Sequence, residues 1–233
     1  MSPIKKAVIV TGASRGLGQY VSQSLCAQYN VLACARNISE TANYHIIKAD
    51  VGNISDCKKV IDYVKNEKLN VYGLINNAAM GAFNQVITTP ISKIRKIMDV
   101  NYNGAVYLMQ ELSKLMIKSG QGRIINIGSQ TLALKTPFEA AYASSKAAIE
   151  TFSKVFAKEL APFNITVNLV SPAVMDTKII KGIPKDRIDY MLSQQAIAKP
   201  VEFSDVQNVI DFLLKEESHN ITGQNIYLGG VII

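Results

Sequence analysis

Apolar residues along this chain fall into two patterns that take turns. Short, almost continuous apolar runs rich in β-branched residues stand at 6–11, 31–35, 44–48, 71–75, 123–127, 165–170 and 225–228. Between them apolar residues recur every three or four positions, the spacing of a helix with one face on a core. The stretch 17–29 carries Val21, Leu25 and Ala27 against a polar face, and 56–68 carries Val60, Ile61 and Val64. Longer helical patterns cover 91–117 and 140–160, and shorter ones 185–195 and 204–215. Strands that alternate with helices imply parallel pairing through right-handed crossovers. Strands apolar throughout imply cover on both faces. The expectation is a doubly wound parallel α/β sheet of about seven strands with helices on both faces. One irregularity stands between Arg36 and Asp50. Asn37-Ile38-Ser39-Glu40 starts no apolar stripe, so a crossover helix is expected to be missing or reduced there. No Pro/Gly/Ser-rich linker, repeat or low-complexity tract divides the chain, and residues 1–233 read as a single domain.

Composition supports a globular protein. Hydrophobic residues make up 48% of the 233 and charged residues 18%, unlike a disordered chain. The 25 basic and 18 acidic residues leave a net charge of +7. The lysines are scattered, for example Lys58, Lys59, Lys65, Lys68, Lys93, Lys96, Lys114 and Lys118. This reads as solvated helix faces with a modest pull on acidic substrates, so no nucleic-acid partner is expected. Cys26, Cys34 and Cys57 form no metal spacing and no disulfide framework. They read as reduced thiols, so the expectation is a cytoplasmic protein without a metal. The chain runs directly into a strand pattern, so no signal peptide is expected. No apolar run is long enough to span a bilayer, and no membrane is expected among its partners.

Candidate chemistry begins at Val8-Ile9-Val10-Thr11-Gly12-Ala13-Ser14-Arg15-Gly16-Leu17-Gly18, where a strand pattern passes through a glycine loop into a helix pattern. Gly12 suits a sharp exit from a strand. Gly16 lets backbone approach a phosphate closely, and Gly18 lets the helix pack tightly. The new helix would aim its free N–H groups and positive dipole end at the phosphates. A glycine-rich turn without a ligand is the plainer alternative, and the loop alone is weak support. Further stations follow: Asn76-Asn77-Ala78-Ala79 after the fourth strand, Asn101 in the long helix, and Ser129 after the fifth strand. Tyr142-Ala143-Ser144-Ser145-Lys146 opens the next helix, and Ser171-Pro172-Ala173 follows the sixth strand. All lie at or near carboxyl ends of strands, where doubly wound sheets bind ligands.

In this order, and with Thr222-Gly223-Gln224 near the end, the stations make the chain resemble the short-chain dehydrogenase/reductase family over essentially its whole length. The loop Thr-Gly-Ala-Ser-Arg-Gly, the segment Gly122-Arg123-Ile124-Ile125-Asn126-Ile127-Gly128-Ser129 and Ile165-Thr166-Val167-Asn168 are most similar to its 3-oxoacyl-acyl-carrier-protein reductases. The resemblance implies a Rossmann fold and a catalytic set of Asn101, Ser129, Tyr142 and Lys146. Positions i and i+4 share a helix face, so Tyr142 and Lys146 are neighbours. A phenol titrates near 10, and a nearby ammonium is expected to lower that value. Ser129 can hold a carbonyl oxygen and stabilise developing charge. The resemblance further implies that Lys146 bonds the nicotinamide ribose and that Asn101 holds a water linking Lys146 to solvent. Singly, each has a plainer reading: a packed helix surface, a cap, a buried helix-kink residue.

The cofactor implied is NADPH. Folds that prefer NAD place an acid at the end of the second strand. Here that place holds Ala35-Arg36, and Arg36, with Arg15, could grip a 2′-phosphate. Each arginine alone could equally be a surface residue. Asp50 and Val51 match the pair that contacts adenine, and Asn77, Ala78 and Ala79 the turn under the adenosine ribose. Pro172, Ala173, Met175 and Thr177 would line the nicotinamide side, and Gly12, Ser14, Gly16, Leu17 and Gly18 the pyrophosphate. Where the family has Pro-Gly and Asp-Gly-Gly, this chain has Pro172-Ala173 and Leu228-Gly229-Gly230. Carrier-protein reductases often have basic residues at the places of Gly120 and Phe163, with Lys118 and Arg123 nearby here. The expected function is NADPH-dependent reduction of a 3-oxoacyl thioester, carried on an acyl-carrier protein or free. The alternatives are a free small ketone or alcohol in specialised biosynthesis, or a non-catalytic NADPH-binding regulator. The resemblance also implies a homotetramer, built on helices 91–117 and 140–160 and on the terminal segment 225–233, with a dimer as the fallback.

Overall fold

The computed structural model describes residues 5–37, 43–177 and 184–230. Seven strands form one sheet: β1 (Ala7–Thr11), β2 (Asn30–Ala35), β3 (His45–Lys48), β4 (Val71–Asn76), β5 (Gly122–Ile127), β6 (Ile165–Ser171) and β7 (Asn225–Tyr227). Their order is β3-β2-β1-β4-β5-β6-β7, and every pair is parallel. The order reverses between β1 and β4, which opens a crevice at their carboxyl ends.

Alternation within the strands feeds two cores. Ile9, Leu32, Leu74, Ile124 and Val167 point to one face. There they meet α2 (Ile54–Asn66), α4 (Gly104–Ser119) and α6 (Ala140–Leu160). Val8, Val10, Ala33, Ile75 and Ile125 point to the other, against α1 (Gly16–Leu25) and α8 (Phe203–Leu214). Shorter helices α3 (Ile91–Met98), α5 (Thr131–Leu134) and α7 (Lys185–Ser193) complete the chain. The α/β class and the doubly wound parallel sheet expected from periodicity are therefore observed. Among the described residues no helix is long and apolar enough to cross a membrane.

Three expectations need correction. The helix read over 17–29 ends at Leu25, because the N–H groups of Gln28 and Tyr29 both turn back to the Leu25 carbonyl before β2 begins. The helix read over 91–117 is broken into α3 and α4 by a π turn, Asp99–Asn103. Packing produces the break. A side chain at Gly104 would meet the Val51 carbonyl oxygen at 2.0 Å, and Asn101 is tied across to Met80. Arg123, considered near a partner surface, is 2% exposed. Its guanidinium donates to the carbonyls of Lys215 and Glu216 at 3.3 Å and of Gly122 at 2.8 Å. It caps the end of α8 instead of facing outward. The reduced β2–β3 crossover falls largely on residues 38–42, outside the described residues. The flanking described residues carry no helix.

Candidate active site

The glycine loop, α1 and the turn after β4 are one interlocked unit. Thr11 Oγ1 accepts from the N–H groups of Asn77 and Ala78, each at 3.0 Å. Asn77 Nδ2 donates back to the carbonyls of Thr11 at 2.9 Å and Gly12 at 3.3 Å. Gly12 has φ +69°, and a Cβ there would lie 2.7 Å from Ala78 Cα. A Cβ on Gly18 would lie 2.4 Å from the Gly12 carbonyl oxygen. Loop, helix and turn thus approach too closely for side chains at either position. Gly16 has φ +56°, and a Cβ there would touch only the Phe203 ring, at 3.9 Å. Arg15, at the N-cap of α1, makes no side-chain cap bond, and no acid occupies the first turn. The positive end of α1 therefore keeps its N–H groups for another acceptor. Ser14 and Arg15 are exposed beside it, and Leu17 is buried in the core. Arg36 is exposed at the end of β2, and among the described residues neither arginine makes an ion pair.

Around this cradle the other predicted positions lie at strand ends. Asp50, beyond β3, accepts from the Gly52 N–H at 3.0 Å, and Val51 is buried under α4. Ala79, like Ala78, is half-buried. Pro172 accepts from the Gln130 N–H, and the Ala173 N–H donates to the Leu228 carbonyl. The two departures from the family pattern meet here. Gly229, φ +93°, would bring a Cβ within 2.6 Å of Ala173 Cβ. The methyl of Ala173 thus occupies the space that Gly229 leaves. Met175 and Thr177 follow, half-buried, just before the undescribed residues 178–183.

The structure brings Ser129, Tyr142 and Lys146 together. Lys146 Nζ donates to the Ile127 carbonyl at 2.5 Å and lies 5.7 Å from the centre of the Tyr142 ring. Burial pushes the Tyr142 phenol up to about 12, with the Glu139 carboxyl adding to the rise and Ser129 opposing it. Burial also brings Lys146 down to about 8. A phenol lowered by its ammonium neighbour, the expectation from spacing, is therefore reversed. Both groups are under a tenth exposed, and burial is the largest cause of each shift. Asn101 joins from the π turn. Its amide donates to Ser145 Oγ at 2.9 Å and to the Met80 carbonyl at 3.0 Å, and its oxygen accepts from the Met80 N–H at 2.7 Å. Ser145 in turn bonds the Tyr142 carbonyl at 2.7 Å. Asn101 is thus a buried clamp in a helix break.

Sequence reasoning passed over Thr11, Thr131 and Glu139. Glu139 had a signal: an acid three residues before Tyr142 falls on its helix face. Thr11 had none, since its partners come from β4. A groove of about 200 Å³ at the start of α6 is lined by Ala82, Val86, Ile94, Met98, Phe138 and Ala141, with Asn84, Thr89 and Ser144 as its polar groups.

A family model for short chain dehydrogenases matches residues 6–188. The chain belongs to the short-chain dehydrogenase family. It is 30% identical to a 3-oxoacyl-acyl-carrier-protein reductase of Staphylococcus epidermidis, covering 97% of this chain and 98% of that one. It is 28% identical to the corresponding reductase of Buchnera aphidicola, over 99% of this chain and 98% of that one. Among solved structures, a 4-hydroxyisoleucine dehydrogenase complexed with NADH is 26% identical and superposes with a TM-score of 0.89. The match covers 97% of this chain and 98% of that one.

Proposed function

We propose that this short-chain dehydrogenase is an NADPH-dependent ketoreductase acting on a 3-oxoacyl thioester. The observation that carries the reading is the joint placement of Ser129, Tyr142 and Lys146 beside a glycine cradle at the strand ends. The cradle suits a dinucleotide: Gly12 and Gly18 pack it shut, and the first turn of α1 offers N–H groups without an acid. Ser14, Arg15, Gly16, Leu17 and Gly18 would hold the pyrophosphate through this turn. Asp50, Val51, Asn77, Ala78 and Ala79 would surround the adenosine, and Pro172, Ala173, Met175 and Thr177 the nicotinamide. Arg36 and Arg15, with no carboxylate at the end of β2, favour a 2′-phosphate and hence NADPH. NADPH supplies the hydride.

The protein side of the reaction follows from burial and position. A phenol held near 12 keeps its proton at neutral pH. Tyr142 is therefore loaded as the donor to the oxygen of a reduced ketone. Ser129 polarises that oxygen. Lys146 fixes α6 against β5 through Ile127, and its ammonium would bond the ribose. Asn101 holds α6 against the segment at Met80. The mostly apolar groove at Ala82, Val86 and Phe138 suits an acyl chain.

A second reading, a free small ketone, is favoured by one observation. Gly120 and Phe163 stand where carrier-protein reductases often carry basic residues, and Arg123 is buried. Turnover of 3-oxoacyl thioesters, carrier-bound thioesters and small ketones, read by NADPH absorbance, tests both. Reduction of thioesters by preference supports the first reading. Reduction of small ketones alone supports the second, and turnover of neither defeats the ketoreductase assignment.

The assembly proposed is a homotetramer through α4 and α6. Tyr102, Phe152 and Phe156 form an aromatic cluster at this face. Val155 beside them is 54% exposed.

A further inference from the structure

Ser129 is connected to a buried carboxyl group. Thr131 stands between the two. Ser129 Oγ donates to Thr131 Oγ1 at 3.0 Å, and Thr131 Oγ1 donates to Glu139 Oε2 at 2.9 Å. The Thr131 N–H also donates to Ser129 Oγ at 3.2 Å, which fixes the serine from the backbone. Ser129, Thr131 and Glu139 are 9%, 2% and 7% exposed, so the chain is shielded from bulk water along its length.

A chain of hydroxyls has a direction, because each hydroxyl has one proton to donate. A carboxylate only accepts. With Glu139 ionised, the Thr131 proton points at Glu139 and the Ser129 proton points at Thr131. Ser129 then offers only lone pairs toward Tyr142, and cannot donate to a carbonyl oxygen. With Glu139 protonated, the chain can reverse. Glu139 donates to Thr131, Thr131 donates to Ser129, and the Ser129 proton is free to point at the substrate.

We infer that Glu139 is a positioning residue whose carboxyl, acting through Thr131, sets whether Ser129 donates or accepts toward the reacting carbonyl. This rests on the ketoreductase reading. Burial raises the Glu139 carboxyl above its usual range, while hydrogen bonds from Thr131 and Thr136 oppose the rise. The donating direction therefore persists to higher pH than an exposed glutamate would allow. The charged groups around it are engaged elsewhere. On α6, Lys146 is held by the Ile127 carbonyl. Lys135, in the loop before α6, donates to the Leu132 carbonyl. Arg187 of α7 lies 5.2 Å from the Phe138 ring centre. The Tyr142 phenol is the titratable group that feels the Glu139 charge.

The test is the pH profile of kcat for ketone reduction at saturating NADPH in wild type, Glu139→Gln, Glu139→Ala and Thr131→Val. Wild-type kcat should fall as Glu139 ionises. Glu139→Gln keeps an amide donor to Thr131 at every pH, so this fall should disappear. Glu139→Ala and Thr131→Val remove the acceptor that holds the Ser129 proton, so each should abolish the fall and, above the wild-type transition, exceed wild-type kcat by up to the roughly 100-fold that one oxyanion donor supplies. Their KM for NADPH should stay unchanged, and Glu139→Gln should likewise exceed wild-type kcat above the transition. Thr131→Val carries the test if Glu139→Ala does not fold. A wild-type kcat–pH profile in both Glu139→Gln and Thr131→Val overturns the inference. Phenolate absorbance, with Tyr142→Phe as the blank, supplies a readout without turnover. Tyr142 should ionise at lower pH in Glu139→Gln. If wild type reduces no ketone, the ketoreductase reading has failed, and an unshifted Tyr142 titration then overturns the Glu139 coupling as well.

Discussion

The Lys146 ammonium lies 2.5 Å from the Ile127 carbonyl, two residues before Ser129, and one helical turn from Tyr142. One side chain therefore joins the strand that delivers Ser129 to the helix that delivers Tyr142. Burial at this junction raises the phenol and lowers the ammonium. The phenol, the proposed proton donor, stays neutral across the physiological range.

Removing that donor should abolish most turnover. Tyr142→Phe keeps the ring that fills its buried place, so folding should survive. Loss of a general acid reduces kcat by about 100-fold or more. Steady-state assays beside a thermal melt check both halves. Near-normal kcat in the variant would remove Tyr142 from the reaction.

Stability should rise and then fall with alkaline pH. Lys146 titrates near 8 when folded and near 10.5 when unfolded. Between these values the unfolded chain holds a proton that the folded protein has released, so stability climbs by about 3 kcal/mol. Tyr142 runs the other way, from about 10 unfolded to about 12 folded. There the folded protein keeps a proton that the unfolded chain has lost, and stability drops by about 3 kcal/mol. Urea unfolding across this range should show the climb vanish in Lys146→Met and the drop shrink in Tyr142→Phe. Identical curves for all three proteins would contradict the burial argument.

Cofactor choice should turn on Arg36. It is exposed at the end of β2 and makes no ion pair among the described residues. Arg36→Asp replaces a cation by an anion where a 2′-phosphate would lie. NADPH affinity should fall by roughly tenfold or more, with relative use of NADH rising. Michaelis constants for both cofactors, measured in parallel, decide this. Unchanged values would mean that Arg36 does not meet the cofactor.

Light scattering at micromolar concentration should give a tetramer mass. Val155→Lys puts a charge on the exposed side of α6 beside Phe152 and Phe156. It should lower the mass to a dimer or monomer while the far-ultraviolet circular dichroism stays the same. A fully active monomer in the wild type would refute the assembly. The apolar terminus Val231-Ile232-Ile233, expected in a second contact, lies outside the described residues.

Much of the fold was legible because its signals are local. β4 is apolar from Val71 to Ile75, and α2 repeats Val60, Ile61 and Val64 on one face; both patterns can be read within a few residues. The site stations were legible too, as residue types at strand ends. Less legible was anything resting on a distant partner. Thr11 reads as the end of a strand until Asn77 and Ala78 are seen bonded to its hydroxyl.

By itself the amino-acid sequence determined the alternation of strand and helix, the parallel sheet, and which side chains reach its carboxyl edge. Contiguous periodicity and glycine spacing are sufficient for these, since each depends on neighbours in the chain. The tertiary structure alone decided the rest. It broke the helix at Asn101, because Val51 and Met80 press on that turn from other parts of the chain. It turned Arg123 inward to cap α8. It reversed the expected shift of Tyr142, because desolvation depends on every atom packed around the phenol and not on the one ammonium four residues away.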